Sequence, residues 1–186
     1  MKTQVKKLVV SLGYYSKPDF LIIGAQKAGT SSLYSILKKH RQLTASLEKE
    51  LHYFSHSAWY SRQDSLNEYH SFFPLPYRVP SQNLVFEATP IYLYHPQVAK
   101  RIYDYNPTLK LIVVLRDPAY RALSSWTMYH HHFKDTENHS LYDSRSFKEA
   151  IEQELLTIES SDFYSDTVGY IKRGLYLDQL ERFFKY

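Results

Sequence analysis

The sequence predicts an α/β protein of three layers, with helices on both faces of a central, mostly parallel sheet. Two segments have the length and apolar character of buried strands: Phe20–Ile23, and Leu109–Leu115, in which Lys110 is the one polar residue. Segments in which apolar residues recur at helical spacing alternate with such strand candidates along the chain. Strands that are apolar throughout and alternate with helices are typical of parallel sheets covered on both faces.

The first strand and the first helix are predicted near the N-terminus. The run Phe20–Ile23 is bounded by Pro18-Asp19 and by Gly24, which favour turns on either side of it. A helix is predicted from Thr30 to Lys39, because apolar residues recur there every three or four positions.

The middle of the chain is predicted to contain a loop, a second strand and a second helix. Residues 62–82 include three prolines and should be mostly loop after a short helical turn over Leu66–Phe73. Leu84–Phe86 is a second strand candidate. Pro96–Tyr105 is predicted to be a helix with proline near its first turn.

The C-terminal half begins with the strongest strand prediction, Leu109–Leu115. A helix is predicted from Pro118 to about Phe133. Ser146–Ile158 should form an acidic amphipathic helix, and Gly169–Tyr186 should form the last helix. One side of this last helix is expected to carry Leu177, Leu180, Phe183 and Phe184.

The composition fits one globular domain. The 186 residues are 44% hydrophobic and 23% charged. Because there is no cysteine, disulfides, thiolate metal sites and cysteine nucleophiles are excluded. With no apolar run of membrane-spanning length and a poor fit to a signal peptide, we expect no membrane span and a cytoplasmic protein. Residues 1–17 are expected to form an N-terminal extension, and residues 18–186 the domain.

The charge is distributed unevenly along the chain. Residues 1–50 contain nine basic and three acidic residues, whereas residues 135–166 contain two basic and nine acidic ones. The basic excess favours an anionic ligand in the N-terminal part, and solvated surface charge is the alternative. The basic residues form no nucleic-acid-binding motif, so no nucleic acid is expected as a partner.

A glycine-containing segment, Gly24-Ala-Gln-Lys-Ala-Gly-Thr-Ser-Ser32, lies between the first predicted strand and helix. A phosphate-binding loop needs this context, because glycines let backbone N–H groups approach an anion and the helix N-terminus adds a positive dipole. The glycines have the spacing of G-x-x-x-x-G-K-[ST], but Thr30 stands where that motif has lysine, and Lys27 lies inside the loop. A P-loop kinase would therefore lack its usual lysine, and it is retained as an alternative.

A second motif follows the strongest predicted strand. Arg116 lies at the carboxyl end of that strand, which is where open α/β sheets bind ligands. Ser124 lies about two helical turns further on. Arginine can donate two hydrogen bonds to a phosphate, and a serine hydroxyl can add a third. The alternative is that Arg116 pairs with a nearby acid such as Asp117.

Together these motifs resemble the sulfotransferases that use 3′-phosphoadenylyl sulfate (PAPS), most closely the heparan-sulfate sulfotransferase-like group. The resemblance runs from about Pro18 to the end and includes Glu48–Phe54, Glu87–Tyr92 and Arg173–Leu180. It implies a P-loop-like sulfotransferase fold. It also implies sulfuryl transfer from PAPS to a hydroxyl or amine of a small or carbohydrate-like acceptor, which yields adenosine 3′,5′-bisphosphate. By this resemblance the domain is expected to be incomplete at its C-terminus, with weak binding of the bisphosphate and little or no turnover.

The resemblance implies roles for the residues of both motifs. Lys27 would contact the bridging oxygen of PAPS and stabilise the leaving group. Arg116 and Ser124 would hold the 3′-phosphate. The loop around the 5′-phosphosulfate would consist of Gln26, Lys27, Ala28, Gly29, Thr30, Ser31 and Ser32.

The acceptor hydroxyl needs a general base, for which there are two candidates. Glu50 matches the family's Lys-Glu-x-x-x-Phe pattern, and His52 lies two residues away, on the same side of an extended segment. The resemblance further implies substrate contacts from Lys49, Glu87 and Arg173. A nucleotide-binding homologue without turnover is the alternative to an enzyme.

No metal site is expected beside PAPS. His130-His131-His132 cannot chelate one ion from a helix, because consecutive helical residues point in different directions. These histidines are instead expected at the surface or along a groove. His52 and His56 have no evident third ligand.

Overall fold

The centre of the fold is a four-stranded sheet in which all pairings are parallel. The structure is a computed structural model and describes residues 2–134, 139–158 and 168–186. The strands lie in the order β2-β3-β1-β4, and their ranges are β1 (Phe20–Gly24), β2 (Leu43–Ala45), β3 (Leu84–Ala88) and β4 (Lys110–Val113). The predicted α/β class and parallel sheet are confirmed.

Helices connect and cover these strands. They are α1 (Lys2–Ser11), α2 (Thr30–Leu37), α3 (Ser57–Tyr60), α4 (Ser65–Ser71), α5 (Val98–Tyr105), α6 (Pro118–Thr127), α7 (Phe147–Thr157) and α8 (Tyr176–Phe184). Short 3₁₀ turns cover Pro76–Arg78, Pro90–Tyr92, His139–Leu141 and Lys172–Gly174. Helix α6 continues directly into one π-helical turn, Met128–His132.

The apolar side chains of β1 alternate between the two faces of the sheet, as the pleat of a strand requires. Phe20 and Ile22 pack with Tyr34 of α2 on one face. Leu21 and Ile23 pack with α5 and α8 on the other face, for example with Ile102. Both faces of the central strand are therefore covered, which gives the three predicted layers.

The strand order reverses between β1 and β4. The chain runs from β1 to the edge strand β2, returns to β3 beside β1, and only then reaches β4 on the opposite side of β1. Open α/β sheets bind ligands at such a reversal, outside the carboxyl ends of the strands. The segments that leave β1 and β4, with Gly24 and Arg116, therefore meet at the expected place.

The bounds of several elements differ from the sequence prediction. Strand β2 was not predicted, and helix α1 lies in the expected N-terminal extension. Helix α5 begins at Val98, so Pro96 lies in the turn before it rather than in the first helical turn. Helix α8 begins at Tyr176, because a 3₁₀ turn over Lys172–Gly174 precedes it.

The apolar side predicted for the last helix is partly wrong. Leu180 and Phe183 pack against the core together with Tyr176, at the helical spacing i, i+4, i+7. Leu177 and Phe184 lie on a different side of α8 and are 69% and 84% exposed.

Helix α1 packs against α4. Lys6 donates a hydrogen bond of 2.7 Å to the carbonyl of Phe73, and Lys7 forms an ion pair of 3.3 Å with Glu68. Across residues 2–134, 139–158 and 168–186, no helix is both long and apolar enough to cross a membrane.

Candidate active site

The loop that joins β1 to α2 lies close against the turn after β3. A Cβ atom at Gly24 would lie 2.5 Å from the Cβ of Leu93, so only glycine fits without a shift of the backbone. Within the loop, Lys27 has a φ of 66° and Gly29 a φ of 99°, both in the left-handed region. Glycine adopts that region readily, whereas lysine does so at a cost in conformational energy.

The N-terminus of α2 is open at this loop. Gly29 is the N-cap residue and provides no side chain to accept from the first-turn N–H groups, which have no acceptor within the helix. Ser31 and Ser32 are exposed, whereas Ala28 and Thr30 are buried. An anion at this end would therefore meet backbone N–H groups and two serine hydroxyls.

A cavity of about 290 Å³ lies between this loop and α6. It contains three residues that the sequence placed around the nucleotide, Lys27, Arg116 and Ser124. Arg116 Nη1 donates a hydrogen bond of 3.2 Å to the backbone carbonyl of Lys27, which joins the segment after β4 to the loop after β1. The cavity thus brings together Lys27 and Ser124, which are 97 positions apart in the sequence.

The same cavity contains residues that the sequence reasoning missed. They are Tyr120, Leu123, Thr127, Met128 and His132. Tyr120, Thr127 and Met128 lie four residues before, three after and four after Ser124, so the helical period counted from Ser124 would have found these three. The π-helical turn brings His132 onto the same side, which agrees with a groove-lining histidine.

Lys27 lies among several charged groups. Its Nζ lies 3.6 Å from the Sδ of Met128. Burial lowers the pKa of Lys27, and the nearby charges of Arg116 and Lys49 lower it further, whereas Glu50 raises it. The charges of Lys49 and Glu50 therefore act on the pKa of a lysine that lines the cavity.

The two candidate bases lie side by side. Glu50 forms a close ion pair with Lys49, and His52 Nε2 lies 3.8 Å from the second carboxylate oxygen of Glu50. Glu50 and His52 both have φ values of 60°, in the left-handed region. Packing around the ring lowers the pKa of His52, as do His56 and Lys49, while Glu50 raises it.

Arg173 is buried and faces the loop between β1 and α2. Its guanidinium donates a hydrogen bond of 2.5 Å to the side-chain oxygen of Gln26 and lies 5.2 Å from the ring centre of Tyr94. The side chain thus supports the loop from inside, and the substrate contact implied for Arg173 stays a prediction. Gln26 is correspondingly held by Arg173.

Glu87 is fully buried in β3. Its carboxylate accepts hydrogen bonds from the hydroxyls of Tyr69 (2.9 Å), Thr89 (2.8 Å) and Tyr92 (3.2 Å). Burial raises the pKa of Glu87 to about 7, although these hydrogen bonds act to lower it. The substrate contact predicted for Glu87 does not fit, because the carboxylate does not reach the surface.

The consecutive histidines have separate environments. His130 stacks on Trp126 at 4.5 Å and bonds through Nδ1 to the carbonyl of Asp143 at 2.8 Å. His132, by contrast, lies in the cavity beside Lys27. The part of the chain that the structure describes contains no group of three or more histidine, cysteine, aspartate or glutamate residues that could hold a metal ion.

The chain is similar in sequence to known sulfotransferases. "Membrane-associated sulfotransferase kil1" of Dictyostelium discoideum is 36% identical over 109 residues, which cover 59% of this chain and 22% of that protein. "Heparan sulfate glucosamine 3-O-sulfotransferase 5" of Mus musculus is 29% identical over 169 residues, which cover 91% of this chain and 44% of that protein. The chain thus spans less than half the length of either relative.

A solved structure and a family model agree with these similarities. The crystal structure of a sulfotransferase from Alicyclobacillus acidocaldarius superposes with a TM-score of 0.70 and 29% sequence identity, over 91% of this chain and 69% of that chain. The family model described as "Sulfotransferase domain" matches residues 17–186. Because that match covers nearly the whole chain, and because the fold of the chain is similar to that of the solved sulfotransferase, the chain belongs to the sulfotransferase domain family.

Proposed function

We propose that this protein transfers a sulfuryl group from PAPS to a hydroxyl or amine of a carbohydrate-like acceptor and releases adenosine 3′,5′-bisphosphate. The cavity that joins Lys27, Arg116 and Ser124 beside the open end of α2 carries this proposal. Two cations, one hydroxyl and a helix N-terminus form a site for a ligand with two separate anionic groups.

The residues present fit the two ends of such a nucleotide. No ion pair among the described residues uses Lys27 or Arg116, so both cations can bind a ligand. Arg116 and Ser124 would hold the 3′-phosphate. Lys27 and the first turn of α2, with Thr30, would hold the 5′-phosphosulfate.

Lys27 provides the charge that the reaction needs on its leaving group. When the bond between sulfur and the bridging oxygen breaks, the electron pair stays on the phosphate oxygen, which becomes more negative. A lysine ammonium beside that oxygen stabilises the developing charge. The charges of Glu50 and Lys49 act on the pKa of the same lysine, which supports a candidate base near the reacting end.

Glu50 would accept the proton of the acceptor as the new bond to sulfur forms. Its carboxylate is exposed and lies beside Lys49 and His52. Lys49 is a predicted substrate residue whose placement suits contact with the acceptor or the transferred group. His52 remains the second candidate for the base, because its ring lies 3.8 Å from Glu50.

The carbohydrate class of the acceptor is supported by the relatives, since one of them is named for heparan sulfate glucosamine. The P-loop kinase alternative is not supported, because Thr30 occupies the lysine position of that motif and is buried. The cytoplasmic location stays a prediction, and fractionation of the cells that make the protein would test it.

Transfer of labelled sulfate tests the proposal. The full chain is incubated with ³⁵S-labelled PAPS and a panel of hydroxyl- and amine-bearing oligosaccharides, in parallel with ATP and magnesium. We expect label on at least one oligosaccharide and no phosphoryl transfer from ATP. If adenosine 3′,5′-bisphosphate binds but no acceptor is labelled, the non-catalytic alternative is correct; if only ATP is turned over, the proposal fails.

A further inference from the structure

We propose that Glu87 and Tyr92 form a positioning pair that holds the segment Glu50–Phe54, and with it the candidate base, in its reactive geometry. This inference rests on the proposed function for its catalytic consequence. The contact between the pair and the segment is independent of that function. It gives the buried carboxylate of Glu87 a role other than contact with substrate.

The pair is built on the rigid part of the sheet. Thr89 N–H donates to the carbonyl of Ile22 at 3.0 Å, and Leu93 N–H donates to the carbonyl of Ile23 at 2.7 Å. The 3₁₀ turn that carries Tyr92 is thereby attached to β1 on both sides. Tyr92 is fully buried, so its hydroxyl has a fixed position.

The Tyr92 hydroxyl connects Glu87 to the candidate base segment. It donates to Glu87 Oε1 at 3.2 Å, and it accepts a hydrogen bond from the backbone N–H of Phe54 at 3.4 Å. Glu87 Oε1 accepts from the Tyr92 hydroxyl, which leaves the lone pairs of that hydroxyl to the N–H group.

The other end of the segment is attached to the same strand. The backbone N–H of Glu50 donates to the carbonyl of Ala88, the residue after Glu87, at 2.9 Å. Between these two attachments lie Glu50 and His52, both with left-handed φ values of 60°. Such conformations are unfavourable for residues other than glycine and persist where the surroundings enforce them. The attachments at Ala88 and Tyr92, together with the hydrogen bond of 2.7 Å from Arg101 to the carbonyl of Phe54, provide that constraint.

Tyr69 offers a matched control. Like Tyr92 it is fully buried and donates to Glu87 Oε1, at 2.9 Å, but its hydroxyl has no bond to the segment. Its ring stacks on Tyr53 at 4.4 Å, a contact that phenylalanine would keep. Tyr69→Phe and Tyr92→Phe thus each remove one buried hydroxyl from Glu87, and of the two only Tyr92→Phe removes the acceptor of the Phe54 N–H.

Hydrogen–deuterium exchange of the full chain tests the attachment without any turnover. We expect a protected Phe54 amide in the wild type, and about tenfold faster exchange across Glu50–Ser55 in Tyr92→Phe. Tyr69→Phe should exchange like the wild type, since the Tyr69 hydroxyl bonds to Glu87 and not to the segment. An unprotected Phe54 amide in the wild type, or equal acceleration by Tyr69→Phe, overturns the proposal. The first of these outcomes is measured on the wild type alone and so does not depend on whether a variant folds.

Kinetics test the catalytic consequence. We expect Tyr92→Phe to lower kcat by about tenfold or more and to change KM for PAPS less than about twofold, because a misplaced base affects the chemical step. Tyr69→Phe should keep the wild-type kcat. An unchanged kcat in Tyr92→Phe refutes the positioning role. A wild type that transfers no sulfate instead refutes the proposed function, and the exchange result still decides the attachment.

Discussion

The guanidinium of Arg116 donates a hydrogen bond of 3.2 Å to the backbone carbonyl of Lys27. Lys27 leaves β1 and Arg116 follows β4, so this bond crosses the place where the strand order reverses. It orients one cation while leaving the other N–H groups of the guanidinium available, since an arginine side chain has five N–H donors. This hydrogen bond therefore links the two ends of the proposed nucleotide site, at Lys27 and at Arg116.

Lys27→Ala should lower both turnover and donor affinity, because the ammonium contacts the reacting end of the donor in the ground state and in the transition state. We expect kcat to fall by about 10²–10³, the effect of removing one preorganised charge-stabilising donor. Steady-state kinetics with PAPS measures both effects. Lys39→Ala, which removes an exposed lysine after α2, is the control and should behave like the wild type. Equal effects of the two substitutions would contradict the role of Lys27.

Glu50→Gln should lower kcat by about 10²–10⁴ while the affinity for adenosine 3′,5′-bisphosphate stays unchanged, because only proton transfer is lost. His52→Ala should have a much smaller effect on kcat. Initial rates and calorimetric binding of the bisphosphate separate the two quantities. The opposite order, with His52→Ala inactive and Glu50→Gln near normal, would assign the base to His52.

Glu87 should make folding stability depend on pH. Its pKa is about 7 in the folded protein against an ordinary value of 4.5, so the folded state binds a proton that the unfolded state releases. The stability contributed by this proton is complete below about pH 4.5 and is lost as the pH rises through 7. The difference amounts to roughly 3 kcal/mol at 1.36 kcal/mol per pKa unit.

Glu87→Gln should remove this dependence, because glutamine does not titrate. Urea unfolding of wild type and variant between pH 5 and 8 measures this dependence. The free energy of unfolding of the variant minus that of the wild type should increase as the pH rises. Parallel curves for the two proteins would show that Glu87 does not titrate in this range.

Gly24→Ala should destabilise the fold by about 1–3 kcal/mol, the usual cost of overpacking a dense interior. The added Cβ would lie 2.5 Å from the Cβ of Leu93, which is itself fixed by its backbone bond to Ile23. Gly169→Ala is the control, since its Cβ would find ordinary contacts from 3.6 Å. Thermal unfolding compares them, and equal melting temperatures for both variants would contradict the close approach.

The main strands and the helices that adjoin the site could be predicted because their patterns are strong. Apolar segments identified β1 and β4, and helical spacing identified α2. Strand β2 could not be predicted, because it has only three residues, all half-buried, and its pairing with β3 is a tertiary effect. The last helix was placed too early because nothing in its pattern separates a 3₁₀ turn from an α-helix.

The candidate site was predictable where the topology determines it. Lys27, Arg116 and Ser124 share a cavity because β1 and β4 are neighbours at the reversal of strand order. The resemblance implies a substrate contact for Glu87, whereas the structure buries its side chain in β3, which extends two residues beyond the predicted strand Leu84–Phe86. The partners that satisfy its carboxylate come from distant segments and could not be read from the sequence.

Binding of adenosine 3′,5′-bisphosphate and of adenosine 5′-phosphate to wild type and Arg116→Ala tests the central claim most directly. Arg116 is assigned to the 3′-phosphate, which only the bisphosphate carries. By isothermal titration calorimetry, Arg116→Ala should weaken bisphosphate binding by ~1.5–3 kcal/mol per lost charged hydrogen bond and leave binding of the monophosphate unchanged. Equal losses for the two ligands, or unchanged binding of both, would contradict the assignment of this cavity to a 3′-phosphorylated nucleotide.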